Sequence, residues 1–238
     1  EPKHWDDEPF DVIVSNPPYS IKWVGEDDAT LINDPRFAPA GVLAPKSKAD
    51  FAFVQHMVHH MDEDGRAAVL LPHGVLFRGN AEATIRKTII DKGYIKGIIG
   101  LPANLFYGAG IPACILIFRK DRGTNNKVLF VDASGEGNFE KGKNQNILRE
   151  CDVVRIVDTY NRYKSDISFT GEDKYSYVAT LDEIKENDYN LNIPRYVDTF
   201  EEEELIDIDE VKQNIANIEA ELAEVQAQMK KYMEELGI

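Results

Sequence analysis

The chain has 238 residues, 43% of them hydrophobic, which is enough for one packed core and a smaller appendage. Its net charge is −15, and residues 201–238 contribute −9 of it, with 12 acidic and 3 basic side chains. The sequence shows no run of the ~20 apolar residues that span a membrane, no secretory pattern and no clustered Lys/Arg platform for nucleic acid. We therefore expect a cytoplasmic protein without a membrane contact. If it acts on nucleic acid, another subunit or sequence missing from this chain supplies most of the attraction to phosphate.

The first elements alternate between strand-like and helix-like patterns. A buried strand is predicted at "FDVIVS" (10–15), followed by a long proline-broken loop over 21–48. The helical spacing of apolar residues in 49–61 predicts a helix that Gly65 ends, and "AAVLLP" is the next buried strand. A helix over 80–92, terminated by Gly93, then leads to the strand "IKGIIGL".

Two further strands are predicted at "PACILIFRK" and "KVLFVDAS", with turn signals between them at 123–126. A helix near 147–164 and an irregular docked segment follow. The alternation of strands and helices indicates a parallel α/β sheet with crossover helices, completed by a hairpin-like antiparallel addition.

The last segment carries a strict heptad stripe. Its apolar residues are spaced alternately three and four apart, and they are Ile208, Val211, Ile215, Ile218, Leu222, Val225, Met229, Tyr232 and Leu236. Asp207 and Glu210 are placed as a capping box. This pattern predicts a coiled-coil helix that packs against a long partner helix, and we favour a different chain over a second copy. The alternative is an ordinary amphipathic helix on its own domain.

The stretch "DVIVSNPPY" (11–19) ends the first strand in an unusual way. Ligands of open α/β sheets lie at the carboxyl ends of strands. The two prolines fix the backbone, and the Asn16 amide with a neighbouring carbonyl can accept both hydrogens of an exocyclic amine. Tyr19 offers a flat ring for stacking on the group that bears this amine. The alternative is a stiff turn with a capping asparagine.

Several segments together resemble one enzyme family. "NPPY" after a strand resembles the signature of amino methyltransferases that use S-adenosylmethionine, including adenine-N6 DNA methyltransferases and enzymes that methylate a glutamine amide. The set "ADFAFVQHMVHHM", "GRAAVLLPHGVLFRGNAEATIRK", "IIGLPANLFYGAGIPACILIFRK", "VLFVDAS" and "NDYNLNIPRYVD" resembles the modification (M) subunit of type I restriction–modification systems. The resemblance implies a partial class I (Rossmann-like) methyltransferase sheet followed by the coiled-coil helix.

The resemblance also implies roles for individual residues. Asn16 matches the residue that binds the N6 amine of a flipped adenine, Pro17 the one whose carbonyl shares that contact, and Tyr19 the stacking ring. Phe106, or next to it Tyr107, in "NLFYG" is expected to stack on the opposite face of the base. Asp50 and Phe53 lie on the segment that borders the cofactor's adenine in related enzymes.

One departure from the family concerns the cofactor. The family's Asp/Asn-Pro-x-x-Gly-x-Gly loop for S-adenosylmethionine is absent from the sequence, and "YGAG" (107–110) and "GEG" (135–137) do not replace it. We therefore expect the C-terminal half of the catalytic domain in 1–137, a mixed helical and irregular docked segment in 138–204, and the coiled-coil helix in 205–238. The sheet edge at 10–15 would then lack a neighbour and be covered by a partner copy, a rearranged segment or a crystal contact.

The remaining polar candidates give weaker signals. Arg36, Lys46 and Lys48 in the long loop are candidates for DNA phosphate contacts, with plain solvation as the alternative. The histidines of 56–60 lack the pattern of a metal helix, and Cys114 lies in an apolar run, so we expect no metal and no disulfide.

The expected function follows from the resemblance. The parent protein would transfer methyl from S-adenosylmethionine to adenine N6 in DNA, together with a specificity (S) subunit docked on the 207–238 helix, a second M subunit and a restriction (R) subunit. This chain alone would be inactive for want of the cofactor loop. The alternatives are a protein-glutamine methyltransferase and a non-catalytic interaction module.

Overall fold

The computed structural model describes residues 8–108, 110–121, 126–199 and 208–237. Two compact units divide the chain, one within residues 1–199 and the other within residues 200–238. The first unit is built on a seven-stranded sheet and a separate two-stranded ribbon. The strands in chain order are β1 (Phe10–Ser15), β2 (Met61–Pro72), β3 (Ile95–Gly100), β4 (Ala113–Arg119), β5 (Lys127–Asp132), β6 (Glu140–Lys141), β7 (Asn146–Ile147), β8 (Gly171–Glu172) and β9 (Ser176–Thr180).

The strand order of the large sheet is β1-β2-β4-β3-β5-β9-β8. β1 pairs in parallel with β2, and β3 with β5, whereas β4 runs antiparallel between β2 and β3. β9 is antiparallel to both β5 and β8. Thus β1, β2, β3, β5 and β8 point one way, and the predicted α/β sheet, in which most strands run parallel, is confirmed. The predicted hairpin between β4 and β5 is wrong: β2 and β3 occupy both sides of β4, so β5 pairs with the other side of β3.

Five α-helices accompany the strands within the residues that the structure describes. They are α1 (Asp50–His60), α2 (Asn80–Asp91), α3 (Glu150–Ser165), α4 (Leu181–Glu186) and, in the second unit, α5 (Ile208–Leu236). Gly93 follows α2 with φ +71°, the left-handed conformation that glycine adopts without strain, as the sequence predicts.

The boundary between α1 and β2 differs from the prediction. Gly65 does not end the helix, because α1 stops at His60 and β2 begins at Met61, which pairs with Phe10 of β1. Gly65 lies inside β2, where a Cβ would come within 2.8 Å of the Phe10 carbonyl oxygen. The glycine therefore permits close strand approach.

The sheet separates two apolar clusters and thereby makes a three-layer unit. One face packs against α1, α2 and α4, and its cluster includes Phe51, Ile85 and Ile184. The other face packs against α3 through Ile156 and Tyr163. All six residues of β3 are buried, as expected for a strand covered on both faces. β9, which lies within the predicted segment 138–204, pairs with β5 and thereby extends the sheet.

The second unit contains α5, which is about 43 Å long at 1.5 Å per residue. Its heptad positions from residue 211 to residue 236 are exposed: Val211, Ile215, Ile218, Leu222, Val225, Met229, Tyr232 and Leu236. The predicted helix is confirmed, while the side chains of the predicted capping box, Asp207 and Glu210, lie outside the described residues. An uncovered apolar stripe of this length is typical of a helix that pairs with another helix.

No helix in the described part of the chain is both long enough and apolar enough to cross a membrane. Nor do the described residues bring three or more His, Cys, Asp or Glu side chains together as a metal site. Cys114 is buried and Cys151 is exposed, and neither forms a disulfide.

Candidate active site

The carboxyl ends of β1, β2 and β3 meet at one edge of the sheet because these strands point the same way. The loops that follow them begin at Asn16, His73 and Leu101. Binding residues of open α/β sheets come from such loops. This edge is therefore the candidate active site.

The stretch from Asn16 to Tyr19 lies at this edge, directly after β1. Asn16 is exposed, Pro17 is buried, and Tyr19 is partly buried. The Tyr19 hydroxyl is buried and has no hydrogen-bond partner among the described residues. Burial, and after it the nearby Cys114, raises the pKa of Tyr19. The hydroxyl of Tyr19 is thus enclosed by the protein, whereas Asn16 is open to solvent.

The chain after Tyr19 is fixed by Asp50, the first residue of α1. The backbone N–H of Ser20 donates to Asp50 Oδ1 at 2.6 Å, and the Ser20 hydroxyl donates to Oδ2 at 3.1 Å. Arg78 Nη1 donates to the same Oδ2 at 2.7 Å and to Glu82 Oε1 at 3.2 Å. Burial works to lower the pKa of Arg78, but the hydrogen bond that Arg78 donates to Asp50 and the charge of Glu82 raise it overall. The loops after β1 and β2 are thereby joined by one ionic cluster.

The two aromatic candidates for the opposite face of a base lie on the loop between β3 and β4. Phe106 is half-buried and Tyr107 is 86% exposed. Asn146 of β7 holds this loop, since its N–H donates to the Asn104 carbonyl and its amide Nδ2 donates to the Ala103 carbonyl, both at 2.8 Å. Three strand spacings, about 14 Å, separate β1 from β3, so this loop must reach across the edge to face Tyr19.

Residues that the sequence analysis did not single out also lie at this edge. Phe77, in the loop after β2, is 48% exposed. His73 lies in the same loop, and its Nε2 is buried without a hydrogen-bond partner among the described residues. Burial lowers the pKa of His73. The only sequence signal for them was their place directly after a predicted strand.

Phe53 and Asp50 were proposed neighbours of the cofactor, and the structure gives them different surroundings. Phe53 lines an open cavity of about 440 Å³ together with Ile21, Trp23 and Phe37. Aromatic and aliphatic walls of this kind fit a planar ring such as adenine. The side chain of Asp50 has no exposed surface and is held by Ser20 and Arg78.

The three cationic candidates for DNA contact differ in their partners. Arg36 is bound by Asp34 through Nε–Oδ1 at 2.8 Å and a second bond from Nη2, and this hydrogen bonding lowers the pKa of Asp34 to about 2. Lys46 forms an ion pair with Asp27. Lys48 has no ion pair within the described residues. Lys48 is therefore the cation of this set that is most readily available to a phosphate.

Comparisons with known proteins show the family to which the chain is similar. Residues 1–205 match the family described as N-6 DNA Methylase. The chain is 35% identical over 229 residues to the type I restriction enzyme MpnII methylase subunit of Mycoplasma pneumoniae, covering 96% of this chain and 41% of that protein. It is 34% identical to the HindI methylase subunit of Haemophilus influenzae, covering 100% of this chain and 54% of that protein. The chain thus spans about half the length of these relatives.

Solved structures show the same similarity. The crystal structure of the type I restriction–modification methyltransferase subunit from Streptococcus thermophilus matches with a TM-score of 0.75 and 50% identity, covering 84% of this chain and 40% of that one. The EcoKI M protein matches with a TM-score of 0.57 and 17% identity, covering 93% of this chain and 50% of that one. At that identity the second match supports the fold alone.

Proposed function

This chain belongs to the N-6 DNA methylase family, and from that premise we propose that it supplies the target-base side of a type I restriction–modification methyltransferase. The reaction is methylation of adenine N6 in DNA. The observation that carries the proposal is the placement of Asn16 and Tyr19 directly after β1, at the carboxyl edge of the sheet. We also infer that the protein acts in the cytoplasm, where chromosomal DNA is found.

The residues of this edge hold and orient the amine. The Asn16 amide oxygen and the Pro17 carbonyl accept the two hydrogens of adenine N6, which draws the nitrogen toward a tetrahedral geometry with its lone pair directed outward. The prolines keep both acceptors fixed, so little ordering is needed when the base arrives. Adenine must leave the duplex to reach them, and stacking on Tyr19 offsets part of that cost.

The opposite face of the extruded base is covered from the loop between β3 and β4. We assign Phe106 to this contact, with Tyr107 as the neighbouring candidate. Arg36, Lys46 and Lys48 are the candidate phosphate contacts. Lys48 forms no ion pair among the described residues, although its charge counters the rise in the pKa of Glu82. The acidic charge of the chain means that most of the phosphate attraction comes from partner chains.

S-adenosylmethionine, when bound, supplies the methyl group as an electrophile. Phe53 is the residue of this chain whose surroundings best fit the adenine ring of that cofactor. The Asp50 assignment to the cofactor remains a weaker hypothesis, because its side chain has no exposed surface. Since the sequence lacks the family's glycine-rich cofactor loop, we expect the isolated chain to be inactive. Tight stoichiometric binding of S-adenosylmethionine to it in calorimetry would contradict that expectation.

The exposed heptad stripe of α5 is the proposed docking surface for a specificity subunit that reads the DNA sequence. A second methyltransferase subunit and a restriction subunit complete the proposed assembly. Leu222→Glu places a charge in the stripe and should abolish co-elution with the specificity subunit in size-exclusion chromatography. Ala227→Glu adds the same charge on the opposite side of the helix and should leave the complex intact. Equal effects of the two variants would remove this docking surface.

The reaction is tested on the longer protein that contains this chain, assembled with its specificity subunit. The complex is incubated with S-adenosylmethionine and DNA, and digested nucleosides are identified by mass spectrometry. N6-methyladenine is the expected product, and N4-methylcytosine alone would contradict the proposal. Methylation of a protein glutamine without DNA methylation would favour the protein-glutamine alternative. No methylation at all would favour an interaction module.

A further inference from the structure

The carboxylate of Asp50 has an unusual position for a charged group at a candidate active site. It lies at the first turn of α1, the whole residue is 1% exposed, and it accepts hydrogen bonds from Ser20 and Arg78. A buried carboxylate is costly unless it is paired and hydrogen-bonded. Both requirements are met here by residues of the two loops that form the edge. The contacts therefore restrain those loops relative to α1.

Ser20 connects Asp50 to the Asn16–Tyr19 stretch. It follows Tyr19 directly, and its φ of +49° lies in the left-handed region that residues with a Cβ avoid. Ser20 has its N–H and its hydroxyl both bonded to Asp50, at 2.6 and 3.1 Å. These two bonds hold the left-handed turn, and the turn sets the direction in which the chain leaves the Asn16–Tyr19 stretch.

Arg78 reaches Asp50 because Gly74 leaves room for its guanidinium. A Cβ at residue 74 would lie 2.4 Å from Arg78 Nε. The same guanidinium contacts Glu82, whose side chain is nearly buried and whose pKa is raised by that burial. Gly79, in the same loop, has open space where a Cβ would stand. The loop after β2 thus contains one glycine that the cluster requires and one that it does not.

We propose that Asp50 is a positioning residue of the methyl-transfer site, which acts through Ser20 to hold Asn16 and Tyr19 ready for the extruded base. This inference rests on the proposed function, and it replaces a direct cofactor contact as the role of Asp50. Arg78 and Gly74 serve the same restraint from the loop after β2. Because the loop already holds this geometry, it loses little conformational entropy when the base binds.

The first test uses this chain and needs no activity. Hydrogen exchange of the Ser20 amide, followed by NMR, should accelerate by about tenfold or more in Asp50→Ala. Asp28→Ala is the matched control, because Asp28 accepts an N–H at 3.0 Å and a hydroxyl at 2.6 Å from Thr30 in the same long loop. The control should leave Ser20 exchange unchanged. Unchanged exchange in a folded Asp50→Ala would overturn the proposal.

The second test uses the longer protein in its assembly, with DNA that carries 2-aminopurine in place of the target adenine. Asp50→Asn should reduce the fluorescence increase on base extrusion. On DNA with the native adenine, which is needed because 2-aminopurine has no N6 amine, the same variant should lower kcat by about tenfold or more, with the Kd for S-adenosylmethionine unchanged. Asp50→Glu should restore part of the signal. A weakened cofactor Kd with a normal fluorescence increase would overturn the proposal in favour of a cofactor contact.

Gly74→Ala keeps the proposal testable if the Asp50 variants do not fold. It displaces Arg78 while Asp50 and Ser20 remain, so it should reduce the 2-aminopurine signal, whereas Gly79→Ala should not. Equal behaviour of the two glycine variants would count against the restraint. The exchange experiment does not depend on which amine is methylated. Its failure would remove only the positioning role, whereas failure of the proposed function would appear as the absence of N6-methyladenine from the native assembly.

Discussion

Arg86 offers the sharpest test of how the chain around residue 190 is attached to the site. The residue is 3% exposed, and its guanidinium donates to three backbone carbonyls: that of Tyr189 at 2.9 Å, that of Val75 at 3.1 Å and that of Arg78 at 2.9 Å. These bonds join α2, the loop after β2 and the segment that follows α4. Arg86→Met keeps an apolar side chain of similar length but leaves all three carbonyls without their donor.

The expected loss can be worked from these contacts. A buried acceptor without a partner costs about 1–3 kcal/mol. The bond to Val75 is buried and the bonds to Tyr189 and Arg78 are partly buried, so three such losses, about 9 kcal/mol, are an upper limit. Burial lowers the pKa of Arg86, which shows that keeping the charge inside is itself unfavourable. Methionine carries no charge, so the variant avoids the cost of burying one, and this offsets part of the lost stability. We expect Arg86→Met to lower the free energy of unfolding by about 3–4 kcal/mol.

Urea denaturation followed by circular dichroism measures this difference. Lys87→Met is the matched control, since Lys87 is the exposed neighbour on the same helix and, among the described residues, contributes a cation–π contact with Tyr189 at 5.0 Å and no ion pair. It should cost less than about 1 kcal/mol. A loss for Arg86→Met no larger than that of Lys87→Met would refute the reasoning.

Three further predictions concern single side chains. Tyr19→Phe removes a buried hydroxyl that has no partner among the described residues, so methylation should persist and the free energy of unfolding should rise by up to about 1 kcal/mol. Tyr19→Ala removes the ring and should lose methylation. Loss of activity in the phenylalanine variant would show that the hydroxyl takes part in the reaction. Burial, with the charges of His60 and Arg36, lowers the pKa of His56 to about 4. The unfolded chain therefore binds more protons between pH 6.5 and 4, and stability falls as the pH drops through that window. Because His56 is half-exposed, it accounts for about 1–2 kcal/mol of the stability lost in this window. Urea denaturation at pH 7 and at pH 4.5 should show that His56→Gln loses less stability between the two than the native chain does. Equal losses would contradict this. Val14 is 81% exposed on β1, whose outer side pairs with no strand of the described residues, so Val14→Lys should reduce self-association of this chain in analytical ultracentrifugation. An unchanged sedimentation profile would show that the outer side of β1 does not drive self-association.

Local patterns predicted the elements that lead to the site. The apolar run before Asn16 forms β1, the glycine at 93 ends α2, and the alternating spacing after residue 208 forms α5. Each of these depends on residues close together in sequence, for which burial period and turn chemistry are informative. The place of Asn16 at a strand end could be predicted for the same reason.

Contacts between distant residues could not be predicted in this way. Asp50 bonds to a residue 30 positions earlier, and Arg86 bonds to one 103 positions later. No local pattern marks such pairs, because an Asp opening a helix and an Arg within one are both ordinary. The insertion of β4 between β2 and β3 likewise depends on which strand edges remain free after the chain has folded.

The amine contact of Asn16 is the centre of this account, and single-turnover methylation by the assembled longer protein tests it most directly. Asn16→Ala should slow formation of N6-methyladenine by about a hundredfold or more, because the amine loses an oriented acceptor. DNA affinity should stay within about twofold of the native value, since phosphate contacts are untouched. A methylation rate close to that of the native protein would contradict the account.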